Sequence, residues 1–141
     1  MTDTVYKFEI QGKPQVQKNN KQIIWTKDKR TGQQRPCIVD NAKVARWRKS
    51  AVQQLTVQWS GRLPIVGNLA AVLTAYIGKA QRPDVDNLAA GPLDALEKAK
   101  IVANDYQFTC VTVLRRRDYD NPRVEILICK DDRLNVEIVG A

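Results

Sequence analysis

The 141-residue sequence contains no histidine. Imidazole is the usual general base near neutral pH and the commonest metal ligand, so its absence excludes Ser-His-Asp chemistry and every histidine metal site. Any catalysis must therefore use carboxylates, amines or a bound metal ion. Cysteine is also scarce: Cys37, Cys110 and Cys129 are scattered and show no Cys-x-x-Cys spacing. This excludes a disulfide framework or a structural zinc site, and we expect reduced thiols in the core.

The sequence also lacks a long hydrophobic run. Its longest apolar stretch, Leu69 to Ile77, is far shorter than the roughly 20 residues that a membrane-spanning helix needs. The first residues show no signal-peptide pattern, so we expect a cytoplasmic protein with no membrane partner. With 43% hydrophobic and 27% charged residues, residues 1–141 are expected to form one domain with its own core.

Positive charge is abundant and unevenly distributed. The formal net charge is +8, and the first 50 residues contain 12 lysines and arginines against four acidic residues, whereas the rest contains 11 of each. A basic loop region, about 12–36, is typical of a polyanion binder, the alternative being a merely solvated basic surface. The candidate DNA-backbone contacts are Lys13, Lys18, Lys21, Lys27, Lys29, Arg30 and, further along the chain, Arg82. Trp25 is expected in the core, with base stacking as the alternative.

Periodicity predicts the elements of the first half. Residues 5–10 alternate as a half-buried strand, residues 23–26 form a short strand, and residues 27–32 form a hairpin-like loop. Asp40 or Asn41 can cap a helix that runs to about Val57. Its expected buried stripe comprises Val44, Trp47, Ala51 and Leu55.

The second half is predicted to complete a mixed sheet. Residues 68–77 should form a central strand, and strands over 107–114 and 124–128 should pair through a turn at 120–122. The tail, 130–141, is expected to form an edge strand or to cross to a partner protomer. The fold class is therefore α+β, a single mixed sheet packed by two main helices.

An acidic segment, 82–107, follows the predicted central strand. An extended backbone would point the carboxylates of Asp84 and Asp86 to the same side. A short helix returning antiparallel to the strand would bring Asp105 back towards them. Ligands that are all oxygen favour Mg²⁺ or Mn²⁺. An isolated Asp-x-Asp is more often a cap or an exposed pair, but the third aspartate and the basic region favour a metal site.

Gly91-Pro92 complicates the helix within this segment. Either Asp86 caps a bent helix, or a tight turn covers 86–90 and the regular helix begins at Pro92, which we favour. Leu93, Leu96 and Ala99 face the core in both cases. Asp94 is expected to be a first-turn acidic residue stabilised by the helix dipole.

Three motifs in this segment resemble the RusA family of Holliday-junction resolvases: Arg-Pro-Asp-x-Asp-Asn-Leu at 82–88, Leu-Asp-Ala-Leu at 93–96, and Asn-Asp followed by Tyr-Gln at 104–107. The resemblance implies a RusA-like dimeric fold and a magnesium-dependent endodeoxyribonuclease, often encoded by prophages, that acts on four-way junctions in recombination and repair. It also implies that Asp84, Asp86 and Asp105 are the catalytic and metal-binding residues. A symmetric dimer would supply one site for each of two paired nicks.

Two positions depart from the family pattern. Ala90 stands where the family usually has a lysine, four residues after the second aspartate, and Asn104 replaces the first member of an acidic pair. Lys79, Lys98 and Lys100 are the nearby candidates for the missing cation. The sequence therefore leaves three hypotheses: an active resolvase, a catalytically impaired binder of branched DNA, and a basic protein that binds RNA or another protein.

Overall fold

A mixed sheet of four strands is organised around the apolar strand that follows the first helix. The computed structural model describes residues 4–16 and 21–132. Its elements are β1 (Val5–Gln11), β2 (Lys21–Lys27), β3 (Gln34–Asp40), α1 (Ala42–Trp59), β4 (Leu69–Ile77), α2 (Ala90–Lys98), β5 (Phe108–Arg117) and β6 (Arg123–Lys130), with short 3₁₀ turns at Val85–Leu88 and Asp105–Gln107. The sheet order is β1-β6-β4-β5, and β2 and β3 form a separate two-stranded hairpin.

Strand β4 lies inside the sheet, as its apolar sequence predicts. It pairs in parallel with β5 and antiparallel with β6. Every second side chain of β4, beginning with Leu69 and ending with Ile77, is buried. These side chains join the inward residues of β1 and β6, among them Ile10 and Ile126, in one hydrophobic core. The α+β class, with one mixed sheet and two helices, is confirmed.

The predicted hairpin between the last two strands is wrong. Both strands exist, but β6 pairs with β4 and β1, whereas β5 pairs with β4 alone. The segment between them crosses the end of β4, where the Asp118 N–H donates to the Ile77 carbonyl at 3.3 Å. The buried residues of β6 alternate along the strand and lie on the same side of the sheet as the buried residues of β1 and β4. The burial of these apolar side chains therefore determines which strands pair, and closeness in sequence does not.

The crossing segment is held by Arg123. Its guanidinium lies 2.9 Å from Asp118 Oδ2 and 3.1 Å from Glu125 Oε1, and it stacks over the Tyr76 ring at 3.8 Å. The hydrogen bond from Arg123 is the main reason that the pKa of Asp118 is lowered. These contacts join the β5–β6 connection to the end of β4.

Helix α1 agrees with its predicted cap and stripe. Asn41 Oδ1 accepts from the Lys43 N–H at 2.8 Å, and the buried residues of the helix are Val44, Trp47, Ala51, Leu55 and Trp59. The helix extends to Trp59, two residues beyond the predicted end, because Trp59 packs its ring near those of Tyr6 and Phe8 on β1.

Two glutamines of α1 bind the backbone of the edge strand β1. The Glu9 N–H donates to Gln58 Oε1 at 3.0 Å and Gln58 Nε2 donates back to the Glu9 carbonyl at 2.7 Å. The Gln11 N–H donates to Gln54 Oε1 at 2.7 Å and Gln54 Nε2 donates back to the Gln11 carbonyl at 3.1 Å. The two side-chain amides therefore occupy the positions that a further strand would take.

The β2–β3 hairpin corrects two predictions. Trp25 is 65% exposed, and its apolar neighbours Ile23, Ile24 and Ile38 are exposed as well, because among the described residues no layer packs on this two-stranded ribbon outside the main sheet. The expected core position of Trp25 is therefore wrong. Cys37, on β3, and Cys110, on β5, are exposed and Cys129 is half-buried, so the cysteines are free but are not core residues.

The predicted loop at 27–32 is the connection of this hairpin. The Gly32 N–H donates to the Asp28 carbonyl at 2.8 Å, and Gly32 has a φ of +72°, which glycine adopts at little cost. The predicted tail strand, 134–139, lies outside the described residues. In the part of the chain that the structure describes, no helix is long and apolar enough to cross a membrane.

Candidate active site

The acidic segment begins in a loop that is tied to the start of the basic region. Gln81 Oε1 accepts from the Gly78 N–H at 2.7 Å, and Gln81 Nε2 donates to the Pro14 carbonyl at 2.9 Å. The stem of Lys13 lies so close over Gly78 that a Cβ there would meet it at 2.9 Å. Arg115 Nη1, from β5, donates to the Pro83 carbonyl at 2.6 Å. The loop is thus fixed from three directions before the first aspartate.

Asp84 and Asp86 do not share one extended segment. Asp84 has an extended backbone and occupies the N-cap position of the 3₁₀ turn Val85–Leu88 without a side-chain capping hydrogen bond, and Asp86 lies in the first turn. The period-two argument for placing both carboxylates on one side is therefore wrong, because the backbone changes conformation between the two residues. Both side chains are exposed.

Helix α2 starts at Ala90, two residues before the favoured start at Pro92. Pro92 is the third helical residue, within the first turn, where a missing N–H removes no hydrogen bond. The predicted tight turn is present as the 3₁₀ turn before it. Gly91 allows close packing on α1, since a Cβ there would lie 2.9 Å from the Trp47 ring. Leu96 and Ala99 are buried and Leu93 is partly buried, as predicted.

Asp105 opens the second 3₁₀ turn, directly before β5. Its N–H donates to Glu97 Oε1 of α2 at 3.2 Å. Asn104 caps the turn, with its Oδ1 accepting from the Tyr106 N–H at 2.8 Å. Gln107 Oε1 accepts from the Ala103 N–H at 2.9 Å, and its Nε2 donates to the Ile65 carbonyl at 2.9 Å. The side-chain oxygen of Asn104 therefore accepts a hydrogen bond within the 3₁₀ turn that positions Asp105.

An open cavity of about 680 Å³ brings several of these residues together. Two predicted carboxylates, those of Asp86 and Asp105, line it, and Asp84 is not among the described residues that do. The complete described lining is Arg48, Asp86, Ala89, Ala90, Leu93, Asp94, Lys98 and Asp105. One face of helix α2 therefore lines the cavity together with the two 3₁₀ turns that contain Asp86 and Asp105.

Hydrogen-bond partners distinguish the carboxylates in this region. Asp94 lies at the fifth position of α2, beyond its first turn, and its Oδ2 lies 3.2 Å from Lys98 Nζ and 3.6 Å from Arg48 Nε. The expected first-turn dipole role of Asp94 is therefore wrong, because the helix starts earlier than predicted. Across residues 4–16 and 21–132, the side chains of Asp84, Asp86 and Asp105 have no hydrogen-bond or ion-pair partner.

The donor chemistry fits a hard divalent cation. Among the described residues, no three Asp, Glu or Cys side chains are grouped closely enough to hold a metal ion by themselves. Mg²⁺ does not require such a group, because it usually keeps several waters and is bound by one or two carboxylates together with substrate phosphates. Asp86 and Asp105, unpartnered and on one cavity, match that pattern.

Most of the predicted DNA contacts that the structure describes lie in two regions. Lys13 and Arg82 are exposed beside the acidic loop, whereas Lys27, Lys29 and Arg30 are exposed at the tip of the β2–β3 hairpin. Asp28 Oδ1 accepts from the Arg30 N–H at 2.8 Å and orders this tip. Lys21 begins β2, and Lys18 lies outside the described residues.

Sequence reasoning overlooked three residues that shape the site: Arg48, Gln81 and Arg115. Arg48 lies four residues after buried Val44 and three before buried Ala51, so helical spacing alone could have placed it beside the core stripe. Gln81 and Arg115 act on backbone carbonyls that are remote in sequence, which no local pattern indicates.

Comparison with known proteins identifies a family. The family model described as endodeoxyribonuclease RusA matches residues 8–129, which cover most of the chain. No curated protein matches the chain significantly.

Proposed function

The chain belongs to the RusA family of endodeoxyribonucleases, and from this premise we propose that it is a divalent-metal-dependent enzyme that resolves Holliday junctions. The observation that carries the proposal is the shared cavity of Asp86 and Asp105, whose carboxylates have no partner among the described residues. Carboxylates left without cations on a protein surface are suited to bind a metal ion.

The proposed roles follow from the positions of the carboxylates. Asp86 and Asp105 hold Mg²⁺ or Mn²⁺ at the cavity, and Asp84 contributes from the exposed loop beside it. The chemistry that the metal supplies when bound is polarisation of the scissile phosphate and activation of a water for phosphodiester hydrolysis. Leu93 and Ala89 give the cavity an apolar wall.

The proposed substrate is branched DNA with four arms. The exposed basic residues near the acidic loop and on the β2–β3 hairpin would bind phosphates of the arms and recognise branched shape more than sequence. A four-way junction is approximately two-fold symmetric and needs two nicks, so a homodimer with one site per protomer is the proposed assembly.

Cleavage of a labelled four-way junction tests this proposal. We expect paired symmetric nicks in Mg²⁺ or Mn²⁺ and none in EDTA. Asp86→Asn and Asp105→Asn should each lower the cleavage rate on the order of 100-fold or more, with junction binding retained. Asp120→Asn is the matched control, because it removes an exposed carboxylate from the β5–β6 turn, outside the cavity. Equal losses in all three variants would contradict the proposal.

One observation favours a second function, that of a catalytically impaired binder of branched DNA. Ala90 lines the cavity at the position where the family usually has a lysine. An impaired binder would bind the junction selectively in Mg²⁺ without cutting it. Cleavage that appears only in Ala90→Lys would support this second function over the first.

A further inference from the structure

The cavity that holds Asp86 and Asp105 also receives two positive side chains. Arg48 reaches it from α1 and Lys98 from α2. Resting on the proposed function, we propose that Lys98 is a catalytic residue whose ammonium contacts the scissile phosphate, and that Asp94 positions it. The charge lacking at Ala90 is thereby supplied from another position on the same helix.

Asp94 holds the two cations together. Its Oδ2 lies 3.2 Å from Lys98 Nζ, four residues later on α2, and 3.6 Å from Arg48 Nε on the neighbouring helix. Trp47, adjacent to Arg48, packs tightly at Gly91 of α2. Contact between the two helices therefore sets where Asp94 and its partners lie.

The charge balance of the cavity explains why a cation is needed. Among the described residues, three carboxylates and two cations line the cavity, which leaves one net negative charge that repels a phosphodiester. A bound divalent ion changes this to one net positive charge. Loss of either cation would leave the metal-loaded cavity neutral, and the charge that develops on the phosphate during hydrolysis would be less stabilised.

Lys98 suits direct contact with the phosphate better than Arg48 does. The Lys98 side chain is 48% exposed, whereas that of Arg48 is 23% exposed and lies at the contact between the helices. A lysine ammonium sits on a flexible four-carbon stem and can move from Asp94 to a phosphate. Ala90 and Lys98 line the same cavity, so side chains at positions 90 and 98 border one shared space.

Single-turnover cleavage of a four-way junction in Mg²⁺ tests the role of Lys98. We expect Lys98→Gln to lower the rate about 100-fold while junction affinity changes less than about threefold. Lys98→Arg should retain most of the rate because it keeps the charge. Lys100→Gln is the matched control, since Lys100 is exposed and lies outside the described cavity lining.

Restoring the cleavage rate with a lysine at position 90 distinguishes the loss of a catalytic charge from a defect in folding or packing. Ala90→Lys should restore at least a tenth of the wild-type rate to Lys98→Gln, and equally to Asp94→Asn, since the new lysine does not require Asp94. A general packing defect would not be rescued in this way. Mn²⁺ affinity, measured by titration calorimetry, should be no weaker in Lys98→Gln than in the wild type.

The outcomes distinguish the inference from the function on which it rests. A wild type that cuts, with Lys98→Gln cutting equally fast, would overturn only the inference. A wild type that binds the junction but does not cut it, while Ala90→Lys cuts, would overturn both the active-enzyme proposal and the role of Lys98.

Discussion

At the scale of single residues, Asp86 and Asp94 show that neighbouring charged side chains give two aspartates different roles. Both line the same cavity. Asp94 is held between Lys98 and Arg48, whereas the Asp86 carboxylate has no partner among the described residues. Asp94 is therefore suited to position a cationic side chain, and Asp86 is suited to bind a metal ion.

Trp25 is a residue whose exposure predicts a functional role. Since its side chain is 65% exposed, we expect Trp25→Ala to change the free energy of unfolding in urea by less than about 0.5 kcal/mol. Stacking of a base on an aromatic ring contributes about 1–3 kcal/mol, so the same variant should bind a four-way junction about 5- to 150-fold more weakly. Trp25→Phe, which keeps an aromatic ring, is the control. A fall in stability above about 2 kcal/mol would show instead that Trp25 is packed.

The sequence predicts an oxygen-ligated metal site, but it does not predict how the residues of that site are arranged. Carboxylates at 84, 86 and 105 and the absence of histidine were enough to indicate an oxygen-ligated metal. The relative orientation of Asp84 and Asp86 was not predictable, because it depends on the 3₁₀ turn that starts between them. Arg48 was overlooked because its role depends on the packing of α1 against α2, which is a tertiary property.

At the scale of elements, the two glutamines of α1 replace a missing neighbour of β1. Each amide both donates to and accepts from one residue of the strand. Exposed strand edges promote association between chains, and natural proteins often cover them. Here the exposed edge of β1 is covered by α1, which also contributes buried side chains to the core.

Removing this cover should have two measurable effects. Gln54→Ala and Gln58→Ala each eliminate two hydrogen bonds to β1, so we expect each to lower the free energy of unfolding by about 1–3 kcal/mol. The double variant should also self-associate more strongly, which light scattering would detect. Gln53→Ala is the control, because Gln53 is exposed on the same helix and makes no contact with β1 among the described hydrogen bonds. Equal destabilisation by Gln53→Ala would mean that helix propensity is responsible.

Elements were predictable where the determinant is local. Alternation identified β1, a continuous apolar run identified β4, and the 3,4 spacing with an Asn cap identified α1. Pairing was not predictable in the same way: β5 and β6 are consecutive in sequence, yet β4 lies between them. The pairing of β6 with β1 and β4 cannot be predicted from a short stretch of sequence.

At the scale of the whole molecule, the charge distribution makes a prediction about DNA binding. The basic excess lies in the first 50 residues, and its described exposed part includes Lys29 and Arg30 at the hairpin tip. Removing one cation that binds a phosphate reduces the slope of log affinity against log salt concentration by about 1. We therefore expect the double variant Lys29→Ala/Arg30→Ala to reduce the slope for junction binding by about 2.

A charge-matched control makes that measurement specific. Lys7 is exposed on β1 and is not part of either basic region of the proposed DNA surface. Lys7→Ala should leave the slope unchanged in a fluorescence-anisotropy titration over a range of salt concentrations. Equal effects per charge removed at both places would mean that binding follows net charge and not a defined surface.

The pairing of β1 with β6 has a consequence for the order of folding. It joins residues 5–11 to residues 123–130, so the first strand cannot pair with its neighbour until residues 123–130 have been synthesised. Strand β4 likewise lacks both of its neighbours until β5 and β6 have been made. Contacts between such distant segments slow folding, since a long loop must close before they form. During synthesis α1 and its packing partners β1 and α2 are all made before β5 and β6, so the helices are complete before the sheet that they pack against.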